Sequence, residues 1–285
     1  MWSQQDISSH LHAIGLRAGD SVLVLSSLRA VGATVGGATG VLNALLDAIG
    51  PDGNLLFPSF TLGNIVTAKC PPLIMSPADE RLAAALTTPF DAQSTPADTN
   101  FVGALPEIAR RHPDSYRSLH PLYSFVALGA DSEFFTKATP HHYPLGSESP
   151  IARLFQKDGK VLLLGVPYSA NIALHLAEIW AEVPYTRRTL NYRTSGDQMC
   201  EMMGVPGCRI GFCRLEPLMK QSRLQRAGTI GSASSRLFSM RMATSLATTY
   251  LYGEPSGLLC RNPECDRCTT ARKLCATAES TSDDT

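Results

Sequence analysis

Residues 21–58 read SVLVLSSLRAVGATVGGATGVLNALLDAIGPDGNLLFP. The run from Ser21 to Ser26 is short and apolar and follows the turn-forming pair Gly19-Asp20, which predicts a buried strand. Residues 37–49 carry Ala, Leu and Asn at helical spacing and stop at Gly50-Pro51, and residues 54–58 return to an apolar strand pattern. A strand–helix–strand unit is the economical reading, and it implies an α/β protein. Outward from this unit, residues 103–111 have helical spacing through Leu105, Ile108 and Ala109, and residues 124–128 and 161–166 are expected as buried strands. Residues 137–150 form a His/Pro/Gly/Ser-rich crossing. Residues 170–181 are expected as a helix with Ser169 as its N-cap, and residues 235–251 as another. Residues 63–89 are expected as a long loop holding a short helix. The chain is expected to be one domain over 1–275, in one piece or two closely packed lobes, with a disordered acidic tail over 276–285.

The 285 residues are 44% apolar and 18% charged, a globular composition that excludes both a highly charged disordered polymer and a bundle of membrane spans. Twenty-five Lys and Arg balance twenty-five Asp and Glu, so no net positive field favours nucleic acid. Between Glu201 and Cys275, however, 11 basic residues stand against 5 acidic ones, an excess suited to an anionic ligand or simply a solvated surface. No basic and then apolar leader opens the sequence, and no run approaches the ~18 apolar residues of a membrane span. A cytoplasmic protein is the expectation. Seven of eight cysteines fall between Cys200 and Cys275.

Three segments offer chemistry. Residues 25–40 join a strand to a helix through several glycines, which suits close approach of a ligand phosphate to the backbone or a tight turn alone; the segment is neither a Walker loop nor a dinucleotide fingerprint. Arg117-Ser-Leu-His-Pro-Leu-Tyr-Ser124 brings a guanidinium, hydroxyls and an imidazole together, either as a ligand grip or as a structural His-Pro loop. On a continuous helix His175, Glu178 and Glu182 would share one face, as a base beside carboxylates or as a solvated polar face. A fourth feature, Cys260-x₄-Cys265-x₂-Cys268 with Cys275 beyond it, offers thiolates for a structural zinc, or ordinary reduced thiols in a packed turn. Any metal there is expected to lie far from catalysis.

The segments occur in the order GDSVLVLSSLRAVG, GATGVLNALLDAIGPDGNLLFPSFT, FDAQSTPADTNFVGALPEIARRHPDSYRSLHPLYSFVALG, LGSESPIARLF and VLLLGVPYSANIALHLAE, spanning residues 11–188. In that order they resemble the aminoglycoside 3-N-acetyltransferases, a family distinct from the common GNAT fold. The family commonly has a histidine where this chain has Leu25, and the region after Arg188 resembles it poorly.

The resemblance implies an α/β N-acetyltransferase built on a layered mixed β-sheet core flanked by helices, with acetyl-CoA as donor, held along Ser26, Ser27, Leu28, Val31 and Gly32 and by Arg117, Ser118, His120 and Ser124. It places His175 as the general base, with Glu178 orienting the imidazole or holding the substrate ammonium. Asp91 joins Glu178 as a substrate contact, or else caps a turn; Asp98, Glu148 and Glu182 are further acids in the matched span. Direct transfer without a catalytic metal is expected, because no cysteine adjoins His175 in sequence and no nucleophile elbow is present. The partners implied are acetyl-CoA and a small amine, with neither nucleic acid nor membrane, and with a homodimer as a further expectation. An antibiotic-modifying enzyme, an acetyltransferase of a biosynthetic amine, and a catalytically silent binding protein on the same fold all remain open; the pairing of His175 with Glu178 argues against the last.

Overall fold

The computed structural model describes residues 1–62, 90–193 and 199–282. Its centre is a seven-stranded sheet in the order β3-β4-β2-β1-β5-β9-β8. The strands are β1 (Ser21–Ser26), β2 (Asn54–Pro58), β3 (Tyr116–Arg117), β4 (Phe125–Gly129), β5 (Lys160–Leu164), β8 (Gln225–Ile230) and β9 (Ala233–Ser239), while β6 (Thr189–Arg193) and β7 (Met199–Met203) form a separate antiparallel pair. Strands β2, β1 and β5 run parallel, β4 and β9 pair antiparallel to β2 and β5, and the edge strands β3 and β8 pair antiparallel to β4 and β9.

The three parallel strands are apolar on both faces. Leu23, Leu25, Leu56, Val161 and Leu163 point into one core, while Val22, Val24, Leu55, Phe57, Leu162 and Leu164 point into the other. Such double-sided burial explains why these segments read as unbroken apolar runs instead of alternating ones. Helices α1 (Gln4–Ala13), α3 (Gly37–Ile49) and α5 (Leu105–Arg110) supply the second core. The first core is closed by α7 (Pro150–Gln156), α8 (Leu174–Trp180), α9 (Leu215–Gln221), α10 (Met240–Gly253) and α11 (Asp266–Ser282). Short turns of helix, α2 (Leu28–Val31), α4 (Thr99–Val102) and α6 (Ser132–Thr136), fill the crossings.

The central β1–α3–β2 unit matches its sequence reading in both strands and the helix. Elsewhere the structure differs. Residues 235–239, expected within a helix, belong to strand β9, and the helix begins only at Met240, where Ser239 accepts from the Met242 backbone N–H at 3.3 Å. The expected helix over 170–181 splits into a 3₁₀ turn, Tyr168–Ala170, and the shorter α8. Ser169 lies inside that turn and does not cap α8. The Asn171 Oδ1 instead accepts from the Ala173 N–H, ahead of α8. Helix α11 runs through Ser282, across the segment whose composition suggested a disordered tail. The loop expected over 63–89 lies outside the described residues.

Candidate active site

The C-terminal ends of β1, β2 and β5 open on one edge of the sheet, which is where open α/β sheets place ligands. A cavity of about 420 Å³ lies there, lined by Leu25, Ser26, Ser27, Leu28 and Arg29 after β1, Pro58 and Phe60 after β2, and Val166, Ala170 and Ile172 after β5. A second cavity, of about 450 Å³, adjoins it and is walled by His175, Tyr123, Leu145, Gly207, Cys208 and Arg267 among others. Phe60, Phe101, Ile172 and Arg209 line both, so the two form one cleft with a shared waist. The Arg209 guanidinium stacks 4.4 Å from the centre of the Phe101 ring.

His175 and Glu178 are brought together as the spacing on α8 predicted. Nδ1–H of His175 donates to Glu178 Oε2 at 2.7 Å, with the residues 4% and 3% exposed. The second carboxylate oxygen, Oε1, accepts from the Tyr185 hydroxyl at 3.2 Å. Burial, with the nearby Glu178 charge, pushes the Tyr185 phenol well above its ordinary range, so it stays a donor. The Phe212 ring packs edge-on against the imidazole at 5.0 Å. A charge-capable pair buried this deeply is stable only if its lone pairs are satisfied, and here the carboxylate accepts on both oxygens.

Glu182 does not share this face. Helix α8 ends at Trp180, and Glu182 adopts a left-handed backbone (φ 52°) that turns it toward a separate surface hollow with His142, Glu148 and Arg187. The extrapolated helical face fails because α8 is only seven residues long.

Of the residues expected to hold the cofactor, Ser26, Ser27 and Leu28 line the cleft. Val31 is fully buried in the second core, and Gly32 faces Ser232, which a Cβ at Gly32 would meet at 3.2 Å. The neighbouring backbone pairs Thr34 with Trp2, so this part of the glycine-rich stretch packs against the chain's own start. The segment 117–124 is likewise committed to the fold. The Arg117 guanidinium donates to the carbonyls of Ser59 at 2.7 Å and Ala92 at 3.3 Å, to that of Thr95, and to Ser124 Oγ at 3.0 Å. Burial lowers its pKa to about 10. Ser118 Oγ accepts from the Phe125 N–H at 2.9 Å, and Ser124 Oγ donates to the Ser59 carbonyl at 2.6 Å. His120 Nδ1 accepts from the N–H groups of Leu122 and Tyr123 at 3.1 and 3.0 Å, and Nε2 donates to the His141 carbonyl at 3.2 Å. These four residues stitch loops together below the cleft and line neither cavity.

Asp91 is exposed and takes the turn-capping role. Its Oδ1 accepts from Gln93 N–H at 3.1 Å and from Ser94 N–H and Oγ–H at 2.7 Å each, and these Ser94 bonds lower its pKa. Asp98 caps α4 through the Asn100 N–H.

Residues the sequence reading passed over complete the site. Tyr185, Phe101 and Arg209 carry no local motif that would mark them. Cys208 does have a signal, as one of the seven clustered cysteines. Its thiol meets those of Cys260, Cys265 and Cys268, all within 4.8 Å of one another, while Cys275 is buried elsewhere on α11 and is not the fourth member. Cys208 and Cys265 also line the His175 cavity, so this cluster is not remote from the site. The fold thus brings two cysteines to the cavity of His175 although none adjoins it in sequence.

A sheet opening at its parallel ends onto a buried His–Glu pair has the layout of an α/β enzyme active site. The family model for aminoglycoside 3-N-acetyltransferase matches residues 23–252, and the chain belongs to that family of CoA-using enzymes. Aminoglycoside N(3)-acetyltransferase IV of Salmonella is 31% identical over 256 residues, covering 89% of each chain. The crystal structure of aminoglycoside acetyltransferase AAC(3)-IVa, known as apoenzyme, superposes with a TM-score of 0.82 at 29% identity, covering 96% of this chain and 98% of that one. The same enzyme has been solved as a mutant with gentamicin. AAC-IIIb, solved as a binary complex with CoASH, gives a TM-score of 0.75 at 28% identity over 88% of this chain and 96% of its own. The likeness therefore extends well past Arg188, where the sequence motifs fade. Among the described residues no helix is long and apolar enough to cross a membrane.

Proposed function

We propose that the protein transfers acetyl from acetyl-CoA to an amine of an aminoglycoside or a similar amino compound, with His175 as general base. The observation that carries this is the buried His175–Glu178 pair at 2.7 Å on the wall of a cleft that opens at the ends of the parallel strands. The arrangement of one cleft with two chambers suits two substrates, and the CoASH complex of AAC-IIIb supports acetyl-CoA as one of them. The donor lies along Ser26, Ser27 and Leu28, with Arg29 and Arg209 as cations for its phosphates, and its thioester reaches the waist at Phe101.

With Nδ1 committed to Glu178, Nε2 is the basic nitrogen. As the amine nitrogen attacks the thioester carbonyl, Nε2 takes its proton, the new N–C bond forms, and the C–S bond breaks to release CoA thiolate. The thiolate then receives the proton, giving CoASH and the acetylated amine. Glu178 stabilises the imidazolium formed on the way, as a carboxylate does for a catalytic histidine. A positioned base of this kind contributes roughly 10²–10⁴-fold.

The lining of the His175 chamber favours a second reading of the acceptor. Phe60, Leu62, Tyr123, Leu145 and Ile172 are apolar, and Arg209 and Arg267 offset Glu264 and Asp266. That wall suits an amine carrying fewer charges than a polycationic aminoglycoside. A panel of aminoglycosides and mono- and diamines, followed by CoA thiol release, decides between them. Turnover on aminoglycosides at least ~100-fold above the simpler amines supports the first reading. The reverse ranking supports the second, and no release with any amine sinks acetyl transfer itself.

A further inference from the structure

We propose that Cys208, Cys260, Cys265 and Cys268 form a tetrathiolate zinc site that holds together the acceptor-side wall of the cleft. The four sulfurs come from two chain segments and lie within 4.8 Å of one another. Zinc bound tetrahedrally at ~2.3 Å from each sulfur needs sulfurs ~3.8 Å apart, so small side-chain adjustments suffice. Cys260 and Cys265 lie in the loop ahead of α11 and Cys268 in its first turn, with Cys265 and Cys268 at the two-residue spacing of a zinc knuckle. The fourth comes from residue 208, after the β6–β7 hairpin.

The surroundings match what such a site requires. The Cys260 N–H donates to Cys268 Sγ at 3.3 Å, the backbone-to-sulfur bond that orients a thiolate ligand. A zinc ion with four thiolates carries two net negative charges, and the guanidiniums of Arg209 and Arg267 lie within electrostatic reach of Cys208, Arg267 also of Cys265. The two segments already meet as backbone: a Cβ at Gly211 would stand 2.2 Å from the Leu258 carbonyl oxygen and 2.8 Å from Cys260 N, so only glycine permits this approach. Arg272 Nη1 donates to the Cys260 carbonyl and Arg214 Nη1 to that of Gly257, both at 2.7 Å, which fixes the loop that presents the ligands.

The consequence lies in the cleft. Pro206, Gly207 and Arg209 flank one ligand, and Glu264, Asp266 and Arg267 flank another; all of them line the His175 chamber. Without a metal, the 206–209 and 264–267 segments line that wall as two separate stretches of chain. With it, they form one cross-linked unit. The metal is structural and takes no part in proton or acetyl transfer. This consequence for the acceptor rests on the acetyl-transfer reading, whereas the site itself does not.

The test uses the full chain expressed with zinc and purified under reducing, chelator-free conditions. Elemental analysis is expected to find about one zinc per chain, falling below ~0.1 in Cys208→Ser and Cys265→Ser and unchanged in Cys275→Ser. Should the serine variants fail to fold, the reduced, metal-stripped wild type titrated with Co(II) is expected to show thiolate charge-transfer bands and strong tetrahedral visible bands that zinc abolishes. Wild type with under ~0.1 zinc and no such cobalt bands overturns the site, as does a disulfide mapped within the four cysteines of freshly purified protein. Zinc retained in Cys208→Ser, or lost in Cys275→Ser, overturns the ligand set. In the metal-depleted enzyme KM for the amine is expected to rise at least ~tenfold with acetyl-CoA affinity within ~twofold. Equal KM values overturn the role in the wall, and absence of turnover in every form overturns acetyl transfer while the metal count and cobalt spectrum still decide the site.

Discussion

Two histidines in this protein are almost completely buried, and they make opposite use of burial. His175, 4% exposed, gives one nitrogen to a carboxylate and lines a cavity. His120, 1% exposed, accepts two backbone N–H groups with one nitrogen and donates to a carbonyl with the other. The second arrangement needs the neutral ring and uses every lone pair and proton that ring has. The first leaves a nitrogen free of the pair and supplies a negative partner for a positive ring. Burial alone therefore does not mark a catalytic imidazole; the charge of the partner and access to a cavity do.

The largest effect separates the two residues outright. His175→Ala is expected to lower kcat by ~10²–10⁴ with acetyl-CoA affinity, measured by calorimetry, within about twofold of wild type. His120→Ala is expected to lose thermal stability while turnover per folded molecule stays within about threefold. A stable His120→Ala protein with turnover lost would erase the distinction and return residues 117–124 to the site.

A smaller effect follows from the neutral ring. Burial holds the His120 pKa at about 4, below its ordinary 6.5. Between those values the unfolded chain binds a proton that the folded one refuses, so the stabilisation is present above pH 6.5 and is lost as pH falls toward 4. The amount is ~3 kcal/mol at most. Urea unfolding of wild type and His120→Asn at pH 7 and pH 4.5 measures it: wild type should lose more stability than the variant, and parallel losses would show that His120 already titrates normally in the fold.

The same contrast governs what was legible in the sequence. Strands β1 and β2 and helix α3 were readable because buried parallel strands and an amphipathic helix leave long apolar patterns. Strand β9 was not. Its Ala, Ser and Arg residues are as compatible with helix as with strand, and pairing with β5 decides the outcome. His175 and Glu178 were readable because three residues on a helix bring side chains together locally. Tyr185 and Arg209 reach the site through tertiary packing, which no spacing encodes. Arg117, Ser118, His120 and Ser124 have the residue types of a ligand grip, and only the structure shows their polar atoms bonded to backbone: those of Ser59, Thr95 and Phe125 for Arg117, Ser118 and Ser124, and those of Leu122, Tyr123 and His141 for His120. Cys208 lies fifty-two positions from Cys260, so three thiols suggested a site and a nearer residue, Cys275, looked like its fourth member.

The smallest effect concerns Tyr185, a positioning residue whose hydroxyl donates to Glu178 Oε1 at 3.2 Å. Tyr185→Phe keeps the buried ring, which packs beside the Arg188 guanidinium at 5.7 Å, and removes only the donor. The carboxylate then holds His175 with one oxygen and has no partner on the other, so its orientation is less firmly fixed. A hydrogen bond to a charged group contributes about 1.5–3 kcal/mol when well aligned. At 3.2 Å, with His175 still paired, only a part of that should reach the transition state, so kcat is expected to fall about three- to tenfold. KM for acetyl-CoA should stay unchanged, because Tyr185 lines neither cavity. A merely structural role would instead lower the melting temperature and leave kcat of the folded enzyme alone, and that result would restrict the catalytic unit to His175 and Glu178.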